Sequence, residues 1–190
     1  MKKGLLIVYS GPSAVGKDTV LNEIINDEEL NLALSVSMTT RKPRPGEKEG
    51  VEYFFVSEKR FNDAITNGEL LEYAEYVGNF YGTPLAYVEK NRNDGKNVVL
   101  VIEMEGRKKV FDKVKDNVIS ICIVPPSMKE LEKRMRTRNK DDDDTIRKRL
   151  NKAKEELKHT NDYDYVVVND TIKQTASEIK KIILKEMKKI

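Results

Sequence analysis

Leu5-Leu6-Ile7-Val8-Tyr9-Ser10-Gly11-Pro12-Ser13-Ala14-Val15-Gly16-Lys17-Asp18-Thr19 joins an apolar run to a glycine-rich turn and a basic residue. Leu5 to Tyr9 is an unbroken apolar run that ends in a Gly/Pro turn, as a strand buried on both faces should. Gly11-x-x-x-x-Gly16-Lys17 follows, the pattern of a phosphate-binding loop. In such a loop backbone N–H groups cradle the phosphates, the helix N-terminus adds its positive end, and the lysine reaches the β and γ oxygens. The position between a buried strand and a helical pattern is the context that this loop requires. One residue departs from the pattern. A Ser or Thr whose hydroxyl ligates Mg²⁺ usually follows the lysine; here Asp18 does, and Thr19 comes one later. Thr19 is expected to bond a phosphate, and Asp18 to sit near the water shell of the metal.

Outward from this stretch, short apolar runs alternate with longer amphipathic ones, the pattern of an α/β fold. Further strands are expected at Val98–Ile102, Val118–Val124 and Tyr165–Val168, and helices at 17–25, 107–114, 128–138, 146–158 and 171–188. In the last helix Ile172, Ala176, Ile179, Ile182, Ile183 and Met187 form one apolar stripe, with lysines on the solvated face. Residues 34–84 break the alternation with Pro43, Pro45, Gly46, Gly50, Gly68, Gly78 and Gly82, and read as an insertion of short strands plus a helix over 57–66. Asp141-Asp142-Asp143-Asp144 reads as a solvated, mobile loop, because neighbouring carboxylates repel.

The chain has 190 residues, 38% apolar and 35% charged, enough for one large domain with its own core. Thirty-five basic against 32 acidic residues leave a net charge of +3, interleaved along the chain and without a nucleic-acid footprint. Met1-Lys2-Lys3 precedes an apolar stretch too short for a secretion signal, and no segment approaches the ~20 apolar residues of a membrane span. A cytoplasmic protein is expected. Its one cysteine, Cys122, lies in an apolar run and is read as a buried, inert thiol. With one histidine, His159, in a charged helical stretch, the chain cannot build a His/Cys metal cluster.

A second cluster carries chemistry: Ser35-Val36-Ser37-Met38-Thr39-Thr40-Arg41-Lys42-Pro43-Arg44-Pro45-Gly46-Glu47, then Gly50-Val51-Glu52-Tyr53-Phe54-Phe55. Arginines flanking a proline-stiffened turn suit forked phosphate contacts, and Tyr53 adds a hydroxyl. Together with the phosphate loop, Glu69-Leu70-Leu71-Glu72-Tyr73-Ala74, Gly78-Asn79-Phe80-Tyr81-Gly82-Thr83, Pro125-Pro126-Ser127 and Val168-Asn169-Asp170, this cluster resembles the guanylate kinase family over essentially the whole chain.

The resemblance implies a P-loop kinase: a parallel-sheet core flanked by helices (1–33, 85–137 and 150–190), a mixed α+β GMP-binding insertion (34–84) and a small helical lid (138–149). It implies Mg²⁺-dependent transfer of the ATP γ-phosphoryl group to GMP and dGMP, in line, by a monomer or homodimer. Gly11, Pro12, Ser13, Ala14, Val15, Gly16, Lys17, Asp18 and Thr19, with Arg134, Arg138 and Asn169, would hold ATP; Asn169 matches the position that contacts adenine. Arg41, Arg44, Tyr53 and Tyr81 would hold the GMP phosphate, and Ser37, Glu72, Thr83 and Glu103 would read guanine. Lys17, Arg41, Arg134, Arg138 and Arg149 would be catalytic, Arg149 as the lid arginine. The chemistry of Glu72 stands apart from the resemblance. A carboxylate accepts from both guanine N1–H and the 2-amino group, which adenine does not offer at that edge. Ser37 and Thr83 hydroxyls are expected to donate to guanine O6.

A further departure lies in Val101-Ile102-Glu103-Met104-Glu105-Gly106, where the family shows acid-x-acid and this chain has valine first. Asp18 is the candidate to compensate in holding Mg²⁺. Glu105 reads as a helix-start residue. Two other readings compete: a ribose-bisphosphate kinase, whose loop also resembles Gly-Lys-Asp, and a non-catalytic domain of the scaffold-protein type. Tyr53, Glu72 and Thr83 count against the first, and the intact loop and lysine-arginine set against the second.

Overall fold

The computed structural model describes residues 2–76, 78–138 and 142–190, with Arg138 described by its backbone alone. In chain order the elements are β1 (Leu6–Ser10), α1 (Lys17–Asn22), β2 (Leu32–Leu34), β3 (Ser37–Thr39), β4 (Tyr53–Phe55), α2 (Glu58–Thr66), β5 (Leu70–Tyr76), β6 (Asn79–Pro84), α3 (Leu85–Asn93), β7 (Asn97–Val101), α4 (Met104–Lys113), β8 (Val118–Val124), α5 (Met128–Arg138), α6 (Asp143–Leu157), β9 (Tyr165–Val168) and α7 (Ile172–Met187).

Among the described residues these make two sheets. One is wholly parallel, in the order β2-β7-β1-β8-β9, and places the phosphate-type loop at the carboxyl end of its central strand. Alternate residues of that strand face opposite layers. Leu5, Ile7 and Tyr9 pack with Val20, Leu131, Met135, Ile179 and Ile183, and Leu6 and Val8 pack with Val88, Val98, Leu100 and Val110. The second sheet, β4-β3-β6-β5, lies in the stretch expected as an insertion and rests on its own cluster of Met38, Phe61, Ala64 and Leu70. It mixes parallel (β3–β4) with antiparallel (β3–β6, β5–β6) pairs, as the irregular Gly/Pro spacing of this stretch allows.

Four expectations are corrected. Helix α1 ends at Asn22, and the next residues tighten into i→i−3 bonds, Glu23 N–H to Val20 O at 3.2 Å and Ile24 N–H to Leu21 O at 3.0 Å. Helix α4 begins at Met104, with Glu103 as its N-cap. The acidic run starts a helix instead of a loop: Asp142 caps α6 by accepting from Thr145 N–H at 2.7 Å, and Asp143 and Asp144 fill its first turn. Carboxylates there satisfy orphan N–H groups and meet the positive end of the dipole, and the bond from Thr145 holds the Asp142 carboxyl below its usual range. Asp141 lies outside the described residues. The last strand, an apolar run like the first and expected to be buried as that one is, forms the sheet edge, with Val166 and Val168 45% and 50% exposed. Strand β2 and helix α3 carry too little periodicity to be read from the sequence. The second is held by burying Val88 and Arg92.

Candidate active site

The loop after β1 owes its shape to two glycines. A Cβ on Gly11 would lie 2.3 Å from the Ile123 carbonyl oxygen. Gly16 has φ +98, and a Cβ there would lie 2.6 Å from Asn169 Nδ2. Ala14 also takes a left-handed φ of 62, strain of the kind concentrated at functional sites. Lys17 Nζ folds over the loop, donating to the carbonyls of Gly11 at 2.6 Å and Pro12 at 3.1 Å. Burial lowers its pKa, opposed by the charges of Asp18, Glu156 and Glu103.

Two cavities border this loop, and a third adjoins the second. The first, about 610 Å³, is lined by Ala14, Gly16, Asp18, Thr19, Lys133, Arg134, Thr137 and the 169–172 turn. Arg134 reaches across it, donating to Asn169 O at 3.0 Å and Val15 O at 3.3 Å while paired with Glu130. Asn169 is buried. Its amide donates to Val15 O at 2.8 Å and its carbonyl accepts from Thr175 Oγ1 at 3.0 Å, so it braces the loop from behind. The second cavity, about 190 Å³, brings Gly11, Ser13 and Lys17 against Val101, Ile102 and Glu103 and the α6 residues Arg149, Lys152 and Glu156. The third, about 700 Å³, shares that Val101–Glu103 wall and adds Ser37, Arg41, Arg44, Tyr53, Glu72 and Tyr81 from the second sheet.

In the third cavity Arg41 Nη2 donates to both carboxylate oxygens of Glu47, at 2.8 and 3.0 Å, and Glu47 also accepts from Arg44 N–H at 2.7 Å. The bond from Arg41, then that from Arg44, holds the Glu47 carboxyl below the usual range. The guanidinium lies 5.3 Å from the centre of the Tyr53 ring, which meets Tyr81 edge-on at 5.8 Å. A register shift between Leu70 and Tyr73 turns Glu72 inward, where Thr83 Oγ1 donates to it at 2.7 Å. Burial raises the Glu72 pKa, opposed by the Thr83 bond and the Lys109 charge. Gly106 gives the carboxylate room: a Cβ there would meet Glu72 Oε2 at 3.3 Å.

All the residues expected to bind or react therefore line these cavities or brace their walls, except that the Arg138 side chain lies outside the described residues. In this structure the Thr83 hydroxyl, expected to donate to guanine, donates to Glu72. Sequence reasoning assigned no role to Glu47, Gly106, Lys109, Lys133, Lys152 or Glu156. Only Lys152 and Glu156 carried a signal, their helical spacing from Arg149 on one face.

Among the described residues no cluster of three or more His, Cys, Asp or Glu is arranged to hold a metal. The exposed hard-oxygen donors Asp18 and Thr19 at the start of α1 suit an ion that keeps most of its ligands from phosphates and water, as Mg²⁺ does.

A parallel sheet with a phosphate-type loop at its topological centre, opened onto a cationic second cavity, defines a nucleotide-binding phosphotransferase of the P-loop class. The chain matches the family model described as "Guanylate kinase" over residues 3–186. It is 46% identical over 187 residues to "Guanylate kinase" of Malacoplasma penetrans (98% of this chain, 95% of that protein). It is 50% identical over 182 residues to "Guanylate kinase" of Lactococcus lactis (96% and 88%). The crystal structure of guanylate kinase from Anaplasma phagocytophilum aligns with a TM-score of 0.75 at 39% identity, covering 97% of this chain and 87% of that one. The chain belongs to the guanylate kinase family, whose known reaction is ATP-dependent phosphorylation of GMP. Among the described residues no helix is long and apolar enough to cross a membrane.

Proposed function

We propose that this chain carries out the family reaction, ATP + GMP ⇌ ADP + GDP, with ATP in the first cavity, GMP in the third and transfer across the second. The observation that carries this reading is the shared wall. Val101, Ile102 and Glu103 border both the cavity that holds Lys17 and the one that holds Glu72 and the arginines. Two phosphates entering from opposite sides would meet there.

In this reading Arg41 exchanges Glu47 for the GMP phosphate, helped by Arg44, Tyr53 and Tyr81. Glu72 accepts from guanine N1–H and the 2-amino group, with Ser37, Thr83 and Glu103 completing the base contacts. These contacts leave the 2′-hydroxyl out, so dGMP is accepted too. The loop from Gly11 to Thr19, with Asn169 behind it, seats ATP; Lys17, Arg134, Arg138 and Arg149 neutralise charge on the phosphates. A GMP phosphate oxygen is already an anion at neutral pH, so attack needs no general base, and catalysis is positioning plus electrostatics. Asp18 and Thr19 are the residues that would meet an ATP-borne Mg²⁺, directly or through water, and the ion would supply further neutralisation of phosphate charge.

We also read the chain as a core (1–33, 85–137 and 150–190), a GMP-binding insertion (34–84) and a lid (138–149). The second sheet and its private apolar cluster support the insertion. Helix α6 runs without a break through the last lid boundary, so lid and core move through one element. A reaction between ATP and GMP belongs in the cytoplasm, where both are held, and the chain acts as a monomer or homodimer.

The test is ADP release with Mg-ATP, offering GMP and AMP in parallel. Turnover with GMP at least about a hundredfold above AMP is expected, because AMP leaves the buried Glu72 unpaired. Equal rates, or GMP binding with no turnover, would overturn the reading, the second outcome in favour of a binding module.

A further inference from the structure

Lys152 stands where two cavities meet. Its side chain borders both the small cavity of Lys17 and Arg149 and the larger one of Arg41 and Glu72. Helix α6 brings it there, since Arg149, Lys152 and Glu156 recur at spacings of three and four along one face. The ammonium donates to Glu103 at 2.8 Å and lies 3.9 Å from Glu156. The Glu103 bond, its largest influence, raises the lysine pKa and keeps the group charged.

Stability does not account for this pair. The Lys152 and Glu103 side chains are 54% and 53% exposed, and ion pairs in that setting contribute little. A weak exposed pair is easily exchanged for a stronger anion, and phosphate is the anion that this wall would receive. In-line transfer brings two anionic phosphates together, so a cation near their meeting point stabilises the transition state more than one at either end.

We propose that Lys152 is a further catalytic cation of this kinase: it contacts phosphoryl oxygens at the junction of the two phosphate sites, and Glu103 and Glu156 hold it in place until substrates arrive. The proposal rests on the reading of the site as that of a GMP kinase. Lys152 keeps its proton throughout. A GMP phosphate oxygen bonds to Pγ while the Pγ–O bond to the β-phosphate breaks, and the electron pair leaves with ADP.

The experiment compares the unmutated chain with Lys152→Met and Lys152→Arg. Steady-state kinetics with GMP are measured, together with calorimetric binding of GMP alone and of a pentaphosphate that joins guanosine to adenosine and so spans both cavities. For Lys152→Met we expect kcat to fall about 10-fold to 100-fold with KM for GMP nearly unchanged. The bridging ligand should weaken by about tenfold or more while GMP alone changes by less than about twofold, and Lys152→Arg should recover most of both. Unchanged kcat in Lys152→Met would overturn the proposal. So would equal weakening of both ligands, which would confine Lys152 to the acceptor cavity, or a loss that tracks a lowered melting temperature and that arginine does not rescue. If the unmutated chain fails to phosphorylate GMP, the kinase reading falls and takes this inference with it. If it succeeds and Lys152→Met equals it, only the inference falls.

Discussion

Thr83 donates its hydroxyl hydrogen to the Glu72 carboxylate at 2.7 Å across the β5–β6 pair, and both side chains are buried. The bond orients a buried acceptor, and a buried carboxylate without hydrogen bonds is strongly disfavoured. On the proposed reading it also selects the edge that Glu72 presents to guanine.

The first prediction concerns pH. Burial raises the Glu72 pKa, so the carboxyl takes up its proton at a higher pH than an ordinary glutamate. The sign follows: the folded state binds this proton more tightly than the unfolded one, so the group adds stability below its unfolded pKa, and that stability is lost as pH rises through the folded value. Guanine recognition runs the other way, because only the ionised form accepts two hydrogen bonds. KM for GMP should therefore climb as pH falls through the raised Glu72 pKa, and Glu72→Gln should abolish that dependence while lowering kcat/KM by about 10²-fold or more. A Glu72→Gln profile parallel to that of the unmutated chain would remove Glu72 as the titrating reader.

The phosphate loop should tolerate no Cβ at Gly16. The left-handed φ of +98 and the 2.6 Å approach to Asn169 Nδ2 both oppose a side chain there. Gly16→Ala is expected to cost about 1–3 kcal/mol and to weaken ATP binding. Gly46→Ala serves as the control, since its φ is +91 but nothing lies within 4 Å, and only about 1 kcal/mol of backbone strain is expected. Denaturant melts with nucleotide titrations measure both; equal effects at the two sites would mean that the Asn169 contact is unimportant.

Arg92 should be the costliest core substitution. Its side chain is fully buried, with Nε donating to Gly4 O at 3.1 Å and the two terminal nitrogens to Glu89 at 2.7 Å and Asp116 O at 2.7 Å. Arg92→Met removes the donors and leaves the buried Gly4 carbonyl without its guanidinium partner, while the part-exposed Glu89 keeps only Lys3 at 2.6 Å. A loss of about 3 kcal/mol or more is expected, a fall of roughly 6–12 °C in melting temperature for a chain of this size. Calorimetric melting decides it. A shift below the lower bound would show that water replaces the guanidinium.

Cys122 should be silent to thiol reagents while the chain is folded. It is fully buried, and desolvation pushes its pKa up to about 12. At mildly alkaline pH the thiolate fraction is then on the order of 10⁻⁴, and the reagent has no approach. Labelling should appear only with unfolding, in step with the loss of circular dichroism. Prompt labelling of the native chain would require local opening of β8.

Local order decided what the sequence could determine alone. Leu5 to Thr19 placed the first strand, the phosphate loop and the helix after it, because a buried apolar run, a glycine pattern and a lysine are all properties of consecutive residues. Arg41, Arg44, Tyr53 and Glu72 drew notice for the same reason, each inside a motif, and the structure gathers them on one cavity. The tertiary structure alone decided the rest. The 2.8 Å pair of Lys152 with Glu103 spans 49 positions, and the bonds from Arg92 to Gly4 and Asp116 span 88 and 24. No spacing rule reaches so far, since such contacts depend on how α3 and α6 pack against the sheets. Edge and centre are likewise set by strand order: Val166 and Val168 read like Val98 and Val99, yet only the latter pair is buried. Asp142 to Asp144 looked like charges in a loop until the N–H groups of α6 gave them something to cap.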